Sequence, residues 1–120
     1  MHEQVRAAVA YIVGALISGK QTSAIYDYSR GMHILISGSL THKNVNVYDY
    51  THGCHISGNG DNGQLNLYHY GQSSHVLLRI TGTQFSGFDY GSGSHFSGHM
   101  SGQSISLYDY TESEHFAFSI

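Results

Sequence analysis

The sequence predicts a small all-β fold, in which about ten antiparallel strands form a meander or barrel around one N-terminal helix. Three observations predict it: a hairpin unit that repeats five times, alternation of apolar and polar residues inside each unit, and an apolar first segment. A length of 120 residues fits one domain, 1–120, that is large enough to bury a core.

Residues 3–18 are predicted to form the single helix, because this segment is rich in Ala, contains no Pro and is followed by Gly19. Its centre, 7–17, is apolar on all sides rather than along one stripe, which is typical of a helix surrounded by other elements. Most of its side chains are small, so the helix is thin. We therefore expect the sheet to curl around it.

Five copies of one motif occupy 23–120 and begin near residues 23, 45, 65, 85 and 105. Each copy contains an aromatic residue, Asp and Tyr, then four residues and a His; in the third copy His69 replaces the Asp. The first aromatics are separated by 22 residues once and by 20 residues three times, so the two extra residues lie in the first connection. A period of this length is typical of one supersecondary unit per repeat, here a β-hairpin.

Apolar and polar residues alternate on both sides of each motif, as in Val45-Asn46-Val47 and Phe116-Ala117-Phe118. A period of two is typical of a half-buried strand, and the Gly- and Ser-rich tetrads between the stretches are typical of turns. We predict that Tyr50 opposes His55 across such a turn. This register places the apolar residues and the Asp on the inner face, and both aromatic rings and the His on the outer face.

A closed barrel is the preferred arrangement of these strands. Ten strands with a stagger of two residues per repeat predict a total shear of about ten residues, a tilt of about 37° and a radius of about 9 Å. Gly58, Gly60, Gly87 and Gly98 are expected on the inner face, where they make room for the helix. The alternative is a β-solenoid with one coil per repeat and the helix as a cap, but solenoid caps are normally amphipathic.

Composition argues against several classes of function. A net charge of −3 with five Lys and Arg residues argues against nucleic-acid binding, which needs clustered positive charge. The single cysteine, Cys54, excludes an intramolecular disulfide framework. The apolar run is too short for a transmembrane helix, which needs about 20 residues. We expect a cytoplasmic location, with secretion or export to the periplasm as the alternative, since 7–17 also resembles the apolar region of a signal peptide.

The candidate binding residues are the second Tyr and the His of every repeat, which the alternation places on the outer face: Tyr28, Tyr50, Tyr70, Tyr90, Tyr110, His33, His55, His75, His95 and His115. Tyr rings among His, Ser and Asn suit burial against a partner or stacking on sugars. Because the sequence shows no convergent catalytic set, we predict a non-enzymatic domain without a cofactor. We expect this domain to bind a protein or a carbohydrate, or to self-associate, through its outer face.

Metal binding is the alternative function, because imidazole and thiolate are common ligands of zinc and copper. The candidates are the repeat His residues or the local cluster of His52, Cys54 and His55. No second ligand pair with zinc-finger spacing follows this cluster, and one His per hairpin on a convex surface spreads the rings apart.

The repeat Asp residues are interpreted as acceptors for turn N–H groups rather than as catalytic carboxylates.

Overall fold

The structure, a computed structural model that describes all 120 residues, consists of one helix and ten strands. The helix α1 spans Glu3–Ser18. The strands are β1 Ala24–Asp27, β2 Met32–Leu40, β3 Asn44–Asp49, β4 Cys54–Asp61, β5 Gln64–His69, β6 Ser74–Thr81, β7 Gln84–Asp89, β8 Ser94–Ser101, β9 Ser104–Asp109 and β10 Glu114–Ser119. These elements confirm the predicted all-β class with one N-terminal helix. No helix in the structure has the length and apolar character that a membrane crossing requires.

The ten strands form a closed barrel in which every neighbouring pair is antiparallel and consecutive strands are neighbours. The barrel is closed by β1 and β10, where Tyr26 opposes Ser119 and Asp27 opposes Phe118. Closure leaves no unpaired edge, which an open sheet of ten strands would expose. The barrel prediction is confirmed and the solenoid alternative is wrong, because solenoid coils stack parallel strands and these strands are antiparallel throughout.

The predicted hairpin register is wrong by two residues. Tyr48, and not Tyr50, opposes His55, and the last pair before the turn is Asp49 with Cys54. The second Tyr of the motif therefore belongs to the four-residue turn, which is closed by a hydrogen bond from Gly53 N to Asp49 O. Because side chains alternate with a period of two, a shift by two residues leaves every side chain on its predicted face.

The first hairpin, formed by β1 and β2, is displaced relative to its two neighbours, β10 and β3, in comparison with the later hairpins. Asp49 is opposed by Ile36, and Asp27 is opposed by Phe118. In the later repeats, the residue that opposes the motif Asp lies two residues closer to the turn of its own hairpin, as Phe96 does opposite Asp109. The total shear is therefore larger than the predicted ten residues, because two of the strand contacts carry an additional stagger.

The helix fills the barrel, and every residue from Ala7 to Val13 is at most 2% exposed. Its N-terminal cap is His2, whose Nδ1 accepts a hydrogen bond from Gln4 N, and its C-terminal cap is Gly19 in the left-handed conformation. Tyr11, the largest fully buried side chain, donates its hydroxyl to the carbonyl of Thr22. An interior occupied on all sides of the helix explains why its sequence has no polar stripe.

Two phenylalanine rings cover two of the predicted inner-face glycines. Phe96 opposes Gly87 and Phe85 opposes Gly98 across the same pair of strands. A Cβ atom built on Gly87 would lie 2.5 Å from the Phe96 ring, and one built on Gly98 would lie 2.5 Å from the Phe85 ring. The rings pack directly on glycine backbone, an arrangement that stabilises curved sheets. The two glycines thus make room for aromatic side chains as well as for the helix.

Candidate functional site

Each hairpin presents three aromatic rings in contact on the outer face. The first aromatic of the motif is half-buried and lies between the rings of the second Tyr and the His; these inner rings are Tyr26, Tyr48, Tyr68, Phe88 and Tyr108. The ring centroids are 4.6–4.9 Å apart, and the planes meet at 60–81°. Edge-to-face contacts at this distance are favourable, so each aromatic triad has a fixed shape.

The second Tyr of every triad is the exposed member, and we call this set the rim tyrosines. Their exposed fractions lie between 56% and 63%: Tyr28, Tyr50, Tyr70, Tyr90 and Tyr110. Their backbone is fixed by the neighbouring hairpin, since Tyr70 N donates to His55 O and Tyr90 N to His75 O. All five hairpin turns lie at one end of the barrel, so the rim tyrosines surround that end.

A groove lies beside Tyr70, between its ring and the hairpin of β3 and β4. It is lined by small and amide side chains such as Asn46, Ser57 and Asn59, together with His55. None of its lining residues is Asp, Glu, Lys or Arg. This Tyr70 groove therefore combines an aromatic wall with a neutral hydrogen-bonding surface.

A second groove, which we call the Arg79 groove, crosses the hairpins of β5 to β10. It consists of two adjoining depressions that share Arg79, Ser86 and Ser97. Tyr90 and Tyr110 line the more apolar of the two, and the Tyr110 hydroxyl lies 3.1 Å from Ser97 Oγ. Further lining residues are Leu77, Phe88 and His95 on one side and Gln84, His99, Ser106, Tyr108 and His115 on the other.

The repeat His residues lie on the outer face, one on each hairpin, and each packs against its own inner ring. The structure does not bring them together, and it contains no group of three or more His, Cys, Asp or Glu side chains arranged to hold a metal ion. The local cluster is also separated: Cys54 is buried, whereas His55 is exposed, because adjacent strand residues point to opposite faces. His52 Nδ1 instead lies 2.6 Å from Asp49 Oδ2.

The repeat Asp residues form a buried ring at the turn end, where each is at most 1% exposed: Asp27, Asp49, Asp89 and Asp109. In every case one carboxylate oxygen accepts a backbone N–H from the following turn, at Ser29, His52, Gly91 and Thr111 respectively. The interpretation of these residues as turn acceptors is confirmed. The second oxygen contacts a cationic group, an imidazole or a hydroxyl: Arg30 at Asp27, His52 at Asp49, Ser92 at Asp89 and the N-terminal ammonium at Asp109.

The contact between Cys54 and His69 was not predicted from the sequence. His69 occupies the position of the repeat Asp in the third repeat. Its Nδ1 accepts the N–H of Gln72, and its Nε2 lies 3.8 Å from Cys54 Sγ. Both residues are exceptions in the repeat pattern: Cys54 is the single cysteine, and His69 is the single residue that replaces the motif Asp. This coincidence was the signal that could have indicated the contact. Burial is the main reason that the pKa of Cys54 is raised, with the charge of Asp49 adding to it. A protonated thiol is a poor nucleophile and a poor metal ligand.

We expect His69 to make the fold sensitive to mild acid. Burial lowers the pKa of His69 below its usual value near 6.5. Below that value the unfolded chain takes up a proton that the folded chain excludes, so stability is complete above about pH 6.5 and declines as the pH falls, by at most about 1.4 kcal/mol per pH unit.

The His69→Asn variant tests this, because an Asn oxygen can accept the Gln72 N–H without titrating. Thermal unfolding at pH 7.5 and pH 5 should show a smaller loss of melting temperature in the variant than in the natural chain. Equal losses in both would show that His69 is not the residue responsible. His55→Asn, on the exposed face, serves as the control and should behave like the natural chain.

The fold and this surface define a class: a ten-stranded antiparallel β-barrel filled by a helix, with an aromatic triad repeated on each hairpin. No protein-family model matches the chain, and comparisons with curated proteins and with solved structures find no match either.

Proposed function

We propose that this protein is a non-enzymatic carbohydrate-binding protein that holds an oligosaccharide on its outer aromatic face. The observation that carries the proposal is the set of rim tyrosines, which remain more than half exposed although each is fixed by an inner ring and by the adjacent hairpin. The Tyr70 groove and the Arg79 groove lie at three of these rings, and their other lining residues include Ser, Asn, Gln and His.

The chemistry of the grooves suits a sugar ring. A pyranose presents a flat face of C–H groups and a perimeter of hydroxyls, so it needs an apolar surface beside hydrogen-bonding groups. Tyr70 supplies such a surface next to Asn46 and Ser57, and Tyr110 supplies one next to Ser97. Hydroxyl and amide side chains both donate and accept, which matches the dual character of sugar hydroxyls.

The rings are ordered before a ligand arrives. Each rim tyrosine contacts an inner ring at 4.7–4.9 Å, and a Tyr side chain has only two rotatable χ angles. Less conformational entropy is therefore lost when a ligand stacks on it, and affinity is gained from this preorganisation.

The distribution of the triads favours a repeating polymer over a globular protein partner. Five similar sites surround a convex cylinder, and one flat protein surface can contact only the side that faces it. A typical interface needs a contiguous patch of about 800 Å² on each partner. A chain of similar sugar units can occupy neighbouring sites together, so weak binding at each site is strengthened by a high effective concentration.

The filled interior supports a role in binding rather than catalysis. Tyr11, Ile12 and Val13 are at most 1% exposed inside the barrel, where a substrate pocket of a β-barrel would otherwise lie. The buried carboxylates of the ring are engaged with turn N–H groups.

A triple substitution, Tyr70→Ser with Tyr90→Ser and Tyr110→Ser, tests the proposal. A glycan array identifies an oligosaccharide that binds the natural chain, and titration calorimetry then compares the variants. We expect at least a tenfold loss of affinity in the triple variant, since an aromatic contact contributes about 0.5–1.5 kcal/mol and 1.4 kcal/mol is tenfold. Thermal unfolding confirms that the variant is folded.

Met32→Ser is the matched control, because Met32 is an exposed apolar residue that lines neither groove. It should bind like the natural chain. An array without any ligand contradicts the proposal. So does light scattering that shows a dimer which the triple variant disrupts, since the aromatic face would then be a self-association surface.

A further inference from the structure

Arg79 is the one arginine without an acidic partner. Arg6 lies 3.9 Å from Asp109, and Arg30 lies 2.8 Å from Asp27. Arg79 makes a single hydrogen bond, from its Nε to Gln64 Oε1 at 3.1 Å. This bond engages the Nε side of the exposed guanidinium and leaves both terminal amino groups without a protein acceptor. The exposed end of Arg79 is thus a positioned, unneutralised donor pair.

The residues that line the Arg79 groove carry no negative charge. Neither depression of the Arg79 groove is lined by Asp or Glu, although the chain as a whole carries a net charge of −3. The nearby polar residues include groups that can donate hydrogen bonds to an anion: the hydroxyls of Ser86 and Ser97 and the imidazole of His99. The Tyr70 groove differs, because it is lined by no Arg or Lys. Positive charge is therefore a local property of one groove.

We propose that the Arg79 groove binds an anionic sugar unit, whose carboxylate or sulfate group is held by the guanidinium of Arg79. This inference rests on the proposed carbohydrate function and adds the class of sugar. A guanidinium presents two parallel N–H groups that match two oxygens of a carboxylate or sulfate, and such charge-assisted pairs are stronger than neutral hydrogen bonds. Ser86 and Ser97 add hydroxyl donors, and Tyr90 and Tyr110 supply the surface on which the sugar ring stacks.

Arg79 lies close enough to two rim tyrosines for one ligand to contact the guanidinium and an aromatic ring together. Arg79, Tyr90 and Tyr110 line the same depression. A sugar stacked on a rim ring consequently places its acidic substituent within the groove that holds the guanidinium. The neutral Tyr70 groove suits an uncharged unit of the same chain.

Titration calorimetry with matched oligosaccharides tests the inference. The probes are a hexamer of galacturonic acid with its methyl-esterified form, and a sulfated galactan hexamer with its desulfated form. We expect the Arg79→Gln variant to bind an acidic hexamer at least tenfold more weakly than the natural chain and to bind the neutral forms unchanged. Arg79→Lys should recover only part of the affinity, because Lys lacks the two-pronged donor. Higher salt should weaken the acidic complexes selectively.

The controls separate this inference from the proposed function. Lys43→Gln removes an exposed cation that lines neither groove and should leave acidic binding unchanged. If Arg79→Gln binds the acidic hexamers normally, or weakens neutral and acidic forms alike, the anionic site is refuted, and the triple Tyr variant still reports on carbohydrate binding. If the triple variant alters no binding, the proposed function fails as well. Comparison of the two acidic probes identifies the group as carboxylate or sulfate.

Discussion

Replacing Gly87 with Val is expected to lower the free energy of unfolding by about 3 kcal/mol. A Cβ atom at this position would lie 1.9 Å from the carbonyl oxygen of Leu77 and 2.5 Å from the Phe96 ring. The first contact is with backbone, so rotation of a side chain cannot relieve it. Val is otherwise favoured in strands, and the predicted loss therefore arises from the close approach alone. Urea unfolding of the natural chain and the variant measures it.

Ser86→Val is the matched control for this prediction. Ser86 precedes Gly87 on the same strand and lies on the exposed face, so Val there should change stability by at most about 0.5 kcal/mol. Gly98→Val should behave like Gly87→Val, because Phe85 covers Gly98 in the reciprocal arrangement. A Gly87→Val protein as stable as the natural chain would show that the inner-face packing of β7 and β8 is incorrect.

Replacing Asp27 with Ala is expected to destabilise the fold by about 3 kcal/mol, because it leaves the largely buried guanidinium of Arg30 with only the more exposed Glu3 as a counter-ion. Asp27 accepts hydrogen bonds from Ser29 N and from Arg30 Nε, at 3.0 and 2.8 Å. Arg30 also contacts Glu3 at the start of the helix and His52 in the next turn. The loss of one carboxylate therefore loosens a link between the first hairpin, the helix and the second hairpin.

The same carboxylate gives a pH dependence of known sign. Burial by itself would raise the pKa of Asp27, but the hydrogen bonds from Ser29 and Arg30 and the charge of Arg30 outweigh it and lower that pKa. The folded pKa is thus below the unfolded value of about 3.9, so this stabilisation is complete above that pH and is lost as the pH falls through the folded pKa.

The Asp27→Asn variant separates charge from turn geometry. Its oxygen can still accept the Ser29 N–H, so it should be less destabilised at pH 7 than Asp27→Ala. Urea unfolding at pH 7, 4 and 2.5 should show that the difference in stability between the natural chain and Asp27→Asn shrinks at the lowest pH. A difference that is constant over this range would contradict an ionised Asp27 in the folded chain.

Local patterns were sufficient for most of the fold. The all-round apolar centre of the helix predicted a surrounded element, and residues such as Tyr11 and Ile12 are fully buried. The alternation in Val45-Asn46-Val47 predicted which side chains face inward. The register could not be predicted in this way. Pairing Tyr50 with His55 places the same side chains on each face as the observed pairing of Tyr48 with His55, so the alternation does not distinguish the two registers.

The contacts between hairpins could not be predicted from the sequence. Cys54 was grouped with His52 and His55 because they are neighbours in the chain, yet its side chain contacts His69 of the next hairpin. The Arg79 groove is lined by residues from three hairpins. No pattern in the sequence distinguishes Arg79 from any other exposed cation. No spacing within one repeat encodes which residues of adjacent repeats meet, since the inter-strand stagger decides it.

The sequence by itself determined the helix, the ten strands and the face to which each side chain points, because these depend on periods of two and twenty residues. Only the tertiary structure decided the two-residue register, the extra stagger of the first hairpin and the neighbours of each rim tyrosine. The physical reason is closure: ten strands form a barrel around a helix of given width only at certain staggers, and the packing of rings such as Phe96 on Gly87 selects among them.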